Sequence, residues 1–181
     1  RTAHRSGNVL LEMEARDSAL PPAAVPELQL KHILVPVDFS DCSHKAFHYA
    51  IHFARQFNAD LMLLHVLEST PIPPQPMFMG VVENEEDVAL RHEAAARHLS
   101  GWRNEAVPAL TVKAVTRAGT AAHHGIIEAA KESNADLIII GNHGRTGLAR
   151  LLVGGTTEKV VRHASVPVLT CANWMRHHLK R

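Results

Sequence analysis

From Lys31 onward, short apolar runs alternate with longer stretches whose apolar residues recur every three or four positions. HILVPVD, residues 32–38, is an apolar run ending in an acid, the pattern of a strand buried on both faces. Ser40 to Ser43 supply helix N-cap candidates, and Ala46, Phe47, Ala50, Ala54 and Phe57 follow at helical spacing, which predicts a helix over 43–57. Asn58-Ala59-Asp60 breaks the pattern, and LMLLHVL, residues 61–67, reads as a second buried strand. The Pro-rich stretch 68–84 predicts a long loop, because proline offers no backbone donor. A helix is expected over 85–105 with Val88, Ala95, Leu99 and Trp102 on its buried face. Residues 110–116 alternate like a strand. A helix opening at Gly119-Thr120 then buries Ile126, Ile127 and Ala130. Residues 136–141, DLIIIG, form the clearest strand, β-branched and ended by glycine. Thr156 to Ala164 reads as a helix with Val160, Val161 and Ala164 inward, and Val166–Thr170 as a last strand. Pro167 places that strand at a sheet edge and limits the hydrogen bonds it can give.

The order β-α-β-α-β-α-β-α-β implies right-handed crossovers and an open parallel sheet with helices on both faces, an α/β fold. Residues 1–30, punctuated by Pro21, Pro22 and Pro26, read as an N-terminal extension. The globular part runs over 31–171, and 172–181 is a basic tail.

Composition removes several classes of function. With 181 residues and a formal charge of +1, no bulk electrostatic argument favours nucleic acid or an anionic membrane. No apolar stretch approaches the length of a membrane span, and the first residues carry acids where a secretory signal needs an apolar core. Cys42 and Cys171, far apart in sequence, are expected as reduced thiols of a cytoplasmic protein. The 14 histidines are scattered. The pairs His123-His124 and His177-His178 read as solvated surface residues, since neither HExxH nor CxxC accompanies them, and no metal ligand is assigned.

Candidate chemistry sits at two strand ends. The first strand ends in Pro36-Val37-Asp38, and the fourth runs into Gly141-Asn142-His143-Gly144-Arg145. After nine intervening residues past Gly144, Gly154-Gly155-Thr156-Thr157-Glu158 opens the last helix. In an open parallel sheet, ligands bind beyond the carboxyl ends of the strands where the strand order reverses. Glycines let the backbone approach an anion, and free amides at a helix start attract phosphate. Thr156 and Thr157 can donate hydroxyls, His143 or Arg145 can add positive charge, and ionised Asp38 can accept from ribose or adenine. The pattern is neither a Walker A loop nor a dinucleotide fingerprint. No catalytic triad or two-metal carboxylate set is present. His143 and Glu158 are the only candidates by sequence position for positioning a hydrolytic water.

KHILVPVDFS, LMLLHV and ADLIIIGNHGRTGLARLLVGGTTEKVVRHASVPVLT together closely resemble the universal stress protein family over about residues 31–171. The resemblance implies a five-stranded sheet of order 3-2-1-4-5, the adenine nucleotide alpha hydrolase-like arrangement, which sets the first and fourth strands side by side. It further implies an ATP-binding, regulatory stress-response factor rather than a dedicated enzyme. Adenosine contacts would fall at Asp38, with Pro36 and Val37 beside it, and at the backbone of Val66. Phosphate contacts would fall at Gly141, His143, Gly144, Arg145, Gly154, Gly155, Thr156 and Thr157, with Mg²⁺ arriving on the nucleotide. Members of this type form homodimers, commonly through the last strand, here Val166–Thr170; further protein partners are not named by the sequence. The alternatives are a slow ATPase or nucleotide hydrolase, with at most weak ATP hydrolysis expected, and a dimeric interaction module without nucleotide. One departure stands out: Gly155 occupies the position after the third glycine where ATP-binding members carry Ser or Thr, which removes one hydroxyl worth about 0.5–1.5 kcal/mol.

Overall fold

The computed structural model describes residues 28–68, 85–106, 110–142 and 155–172. The elements are β1 (His32–Pro36), α1 (Asp41–Phe57), β2 (Asp60–Glu68), α2 (Glu85–Glu105), β3 (Val112–Gly119), α3 (Ala122–Glu132), β4 (Leu137–Gly141), α4 (Thr156–His163) and β5 (Val168–Cys171). They build one sheet of order β3-β2-β1-β4-β5, parallel throughout. This is the order the resemblance implies. The extension 1–27, most of the Pro-rich loop and most of the basic tail lie outside the described residues.

Alternation along the central strands sorts side chains onto two faces. Ile33, Val35 and Val37 of the β1 segment and Leu137 and Ile139 of β4 pack with Phe47 of α1 and Leu99 of α2. Leu34, Ile138 and Ile140 point the other way, to Ile126 of α3 and Val160 of α4. The two central strands are therefore buried on both sides, which is why they read as continuous apolar runs.

Local chemistry sets the helix ends. Ser40 caps α1 by accepting from the Ser43 amide, and Asn58 closes it in the left-handed region at φ 54° with its N–H on the Ala54 carbonyl. At the amino end of the sheet the Asp136 carboxylate accepts from the Lys31 and His32 amides at 2.7 and 2.9 Å, fastening the start of β1 to β4. Those bonds, the Lys31 amide foremost, hold the Asp136 carboxyl below its ordinary range against the opposing effect of burial.

Four expectations need correction. Val88 is exposed, because residues 86–90 of α2 lie clear of the sheet and its packed face begins later. Val161 is exposed too; α4 is short and buries Val160 alone among its residues. The third strand starts at Val112 and runs on to Gly119, paired to β2 through Glu68, so α3 begins at Ala122 rather than at Gly119-Thr120. Finally, β5 is an edge strand as expected, but Pro167 does not limit its outer hydrogen bonds: the Pro167 carbonyl accepts from the Ile138 amide, so Pro167 faces β4 just before β5 begins. Its missing donor takes nothing from the outer edge.

Candidate functional site

The register Ile33↔Leu137 and Leu34↔Ile138 runs β1 and β4 side by side. Carried forward three residues, it brings Val37 level with Gly141. β1 ends at Pro36 and β4 at Gly141; past β1 the chain enters α1, and α4 is the next described element after β4.

Beyond β1, Val37 is buried, and its amide donates to the Leu64 carbonyl at 2.8 Å. Its carbonyl contacts His65 Nδ1 at 2.8 Å. Pro36 and Val37 thus shape the floor of the strand tips while their own groups serve the sheet. Asp38 follows, and its Oδ1 accepts from the Ser40 amide at 3.0 Å and the Ser40 hydroxyl at 2.6 Å. The Asp38 amide in turn donates to Ser43 Oγ at 3.4 Å. Burial alone would push the Asp38 carboxyl up, but the Ser40 and Ser43 hydrogen bonds together outweigh it and hold the group below its ordinary value of 3.8. Asp38 is an ionised, braced acceptor.

Between Asp38 and Ser40 the backbone bends through Phe39 at φ 63°, a left-handed conformation uncommon for an aromatic residue. Packing holds it there: the Phe39 ring lies 4.5 Å from His65, 5.0 Å from His98 and 5.7 Å from Trp102 between centroids. Strain of this kind costs about 1–3 kcal/mol and persists where surrounding contacts over-determine it.

At the β4 tip a Cβ on Gly141 would lie 2.9 Å from the Cys42 carbonyl carbon and from the Ser43 amide nitrogen. Glycine is required there because the strand end presses on the first turn of α1. Ser43, which is buried, is consequently the common neighbour of Asp38 and Gly141. The Gly141 carbonyl accepts from the Thr157 hydroxyl at 2.8 Å, which ties the first turn of α4 to the β4 tip. Gly155 is the N-cap of α4 at φ −71°, with no side-chain cap on the helix, and Gly155 and Thr156 are exposed. An exposed helix start without a side-chain cap is the arrangement that suits an anion.

Val66 stands on β2, two residues past Leu64, where pairing with β1 ends. From there β2 has a sheet partner on the β3 side alone among the described residues. The Val66 side chain is half-buried beside Gly119 and Gly125. Glu158, weighed as a water-positioning group, bonds Arg162 at 2.9 Å. His143, Gly144, Arg145 and Gly154 lie outside the described residues. Sequence reasoning placed Ser40 and Ser43 as helix caps and missed them as braces of Asp38; the spacing Asp-x-Ser-x-x-Ser is the visible signal.

Comparison with known proteins agrees with this architecture. The universal stress protein MJ0531 of Methanocaldococcus jannaschii is 30% identical over 145 residues, spanning 77% of this chain and 80% of that protein. MJ0577 of the same organism is 30% identical over 151 residues, spanning 77% of this chain and 93% of that one. Its solved structure superposes with a TM-score of 0.67 over 81% of this chain and 98% of its own. A universal stress protein solved in complex with cAMP shares the fold at TM-score 0.58 and 24% identity, over 80% of this chain and 98% of that one. The sequence profile of the universal stress protein family matches residues 29–172, and the chain belongs to that family.

Proposed function

We propose that this chain is a regulatory adenine-nucleotide-binding protein that takes ATP at the joined tips of β1 and β4. The observation that carries the reading is the start of α4: a helix N-terminus without a side-chain cap, exposed, and tethered by Thr157 to Gly141. Through Ser43 that tip adjoins Asp38, a carboxylate held ionised. Amides suited to phosphate and an acceptor suited to ribose hydroxyls therefore flank one position. In this reading Asp38 and the Val66 backbone take the adenosine. Gly141, His143, Gly144, Arg145, Gly154, Gly155, Thr156 and Thr157 surround the phosphates. Mg²⁺ arrives on the nucleotide, and the protein works in the cytoplasm as a homodimer paired through β5. The nucleotide serves as a signal, with weak hydrolysis at most.

Calorimetry of the full chain with Mg-ATP, ADP, AMP and cAMP tests this. Binding is expected for the unaltered chain, loss in Gly144→Val, and weakening by about tenfold or more in Asp38→Asn, the worth of a hydrogen bond to a charged group. Absence of both heat and thermal shift at millimolar Mg-ATP would overturn it. The second reading, a nucleotide-free dimeric module, draws on one observation: Gly141 and Thr157 already have work inside the fold.

A further inference from the structure

His44, His48 and His52 recur every four residues along α1, so they share one stripe of that helix. Glu105, the last residue of α2, reaches the first two. Its Oε2 lies 2.7 Å from His44 Nε2 and 3.9 Å from His48 Nε2. One donor atom from each of the three residues falls within 4.8 Å of the others. The His44 and His48 rings meet edge to face at 4.5 Å, and Trp102 lies 4.7 Å from His44 on the inner side. Imidazoles one helical turn apart, completed by a carboxylate from a second element, are the donor set of a transition-metal site with open positions.

The geometry points to a divalent transition-metal site, of the zinc class, at His44, His48 and Glu105 that staples α2 to α1. Ligand atoms around a tetrahedral ion with bonds of about 2.0–2.1 Å stand about 3.3 Å apart. The Glu105–His44 separation must therefore open by about 0.6 Å and the Glu105–His48 separation close by about as much. The His44–His48 separation, within 4.8 Å, must come to the same value, and all three side chains, 38%, 53% and 40% accessible, are exposed enough to rotate. The ion takes the Nε2 lone pair of each ring, so each neutral imidazole keeps its proton on Nδ1, and the Glu105 carboxylate binds ionised. Water fills the remaining positions. Two imidazoles and one carboxylate favour Zn²⁺, Co²⁺, Ni²⁺ or Cu²⁺ over Mg²⁺ and Ca²⁺, which seek oxygen alone. Because Ser40, which braces Asp38, caps the same α1, an ion here also steadies the helix that frames the candidate nucleotide site. The metal site nonetheless stands or falls independently of nucleotide binding.

Co²⁺ is the probe, followed by its visible absorption. The full chain carries alanine at His123, His124, His177 and His178 so that the paired histidines elsewhere do not compete. One Co²⁺ per chain is expected, displaced by Zn²⁺ and accompanied by a rise in melting temperature. His48→Ala and Glu105→Ala, both at partly exposed side chains, are each expected to weaken binding by about tenfold or more. His52→Ala should leave binding unchanged. No Co²⁺ binding, or binding that survives His48→Ala or Glu105→Ala, overturns the proposal. Loss in His52→Ala with Glu105→Ala unaffected also overturns it, by assigning the ion to the helix stripe alone.

Discussion

Gly141 and Gly155 belong to one glycine motif yet meet different surroundings. A Cβ at Gly141 would come within 2.9 Å of the α1 backbone, whereas one at Gly155 would find nothing within 4 Å. Gly141→Ala should therefore cost about 1–3 kcal/mol, the usual range for overpacking. Gly155→Ala, at φ −71°, should leave stability nearly unchanged. Urea denaturation of the two variants checks the contrast, and equal costs would refute it. Asp136 carries a second prediction. Its carboxyl is held low by the Lys31 and His32 amides, so its contribution is complete above the unfolded aspartate value and is lost as pH falls through the lower folded value. Asp136→Asn should destabilise by about 0.5–1 kcal/mol at neutral pH, because solvent screens these exposed bonds, and flatten the acid limb of the stability curve. Parallel acid limbs in the two proteins would deny the clamp. At this scale the motif was legible because glycine and aspartate are sparse and their spacing is informative. The Ser43 contact between Asp38 and Gly141 was not, since it joins residues about a hundred positions apart, and only the sheet register brings them together.

The helices show where periodicity stops being informative. On α1 the apolar spacing extends through the packed length, and Ala46, Phe47, Ala50 and Ala54 are all fully buried, as the pattern predicts. On α2 it begins one turn too soon, at exposed Val88, because spacing records which face is apolar and not where the underlying sheet begins. On α4 two adjacent valines compete for one inward direction, about 100° apart on the helix, and only Val160 takes it. The start of α3 was misplaced for a different reason. Its N-cap, Ala121, offers no side-chain oxygen, and the acceptor comes from another element: the Glu68 carboxylate at the end of β2 takes the Ala122 amide at 2.6 Å. A cap 54 residues away leaves no local signal. Glu68→Ala should consequently cost about 0.5–2 kcal/mol, the usual worth of a cap, and Ala121→Ser added to it should restore part of that loss. Unchanged denaturation midpoints in Glu68→Ala would show that the bond adds nothing.

The sheet closes on one side with β5, and two of its bonds to β4 fix which groups remain on the outer side. Pro167 and Cys171 turn their carbonyls to β4, accepting from the Ile138 and Asn142 amides. Since backbone direction alternates along a strand, Leu169 faces β4 as well, and Val168 and Thr170 present their donors and acceptors outward. The alternation of elements made the parallel sheet legible, but the direction of an edge depends on register, which only the folded chain supplies. With Pro167 turned inward, the outer row is fit to accept a second copy of the same strand, the pairing the homodimer proposal requires. A two-fold axis across that edge sets equivalent residues near one another. Exposed Thr170 is the place to test it, because a lysine there leaves the β4 ladder alone and brings two like charges together across the seam. Light scattering on the eluting protein at micromolar concentration should give a dimer for the unaltered chain and a monomer for Thr170→Lys, with the melting profile of the variant still cooperative. A monomer in the unaltered chain would exclude strand pairing, and a dimer that survives Thr170→Lys would place the contact on another surface.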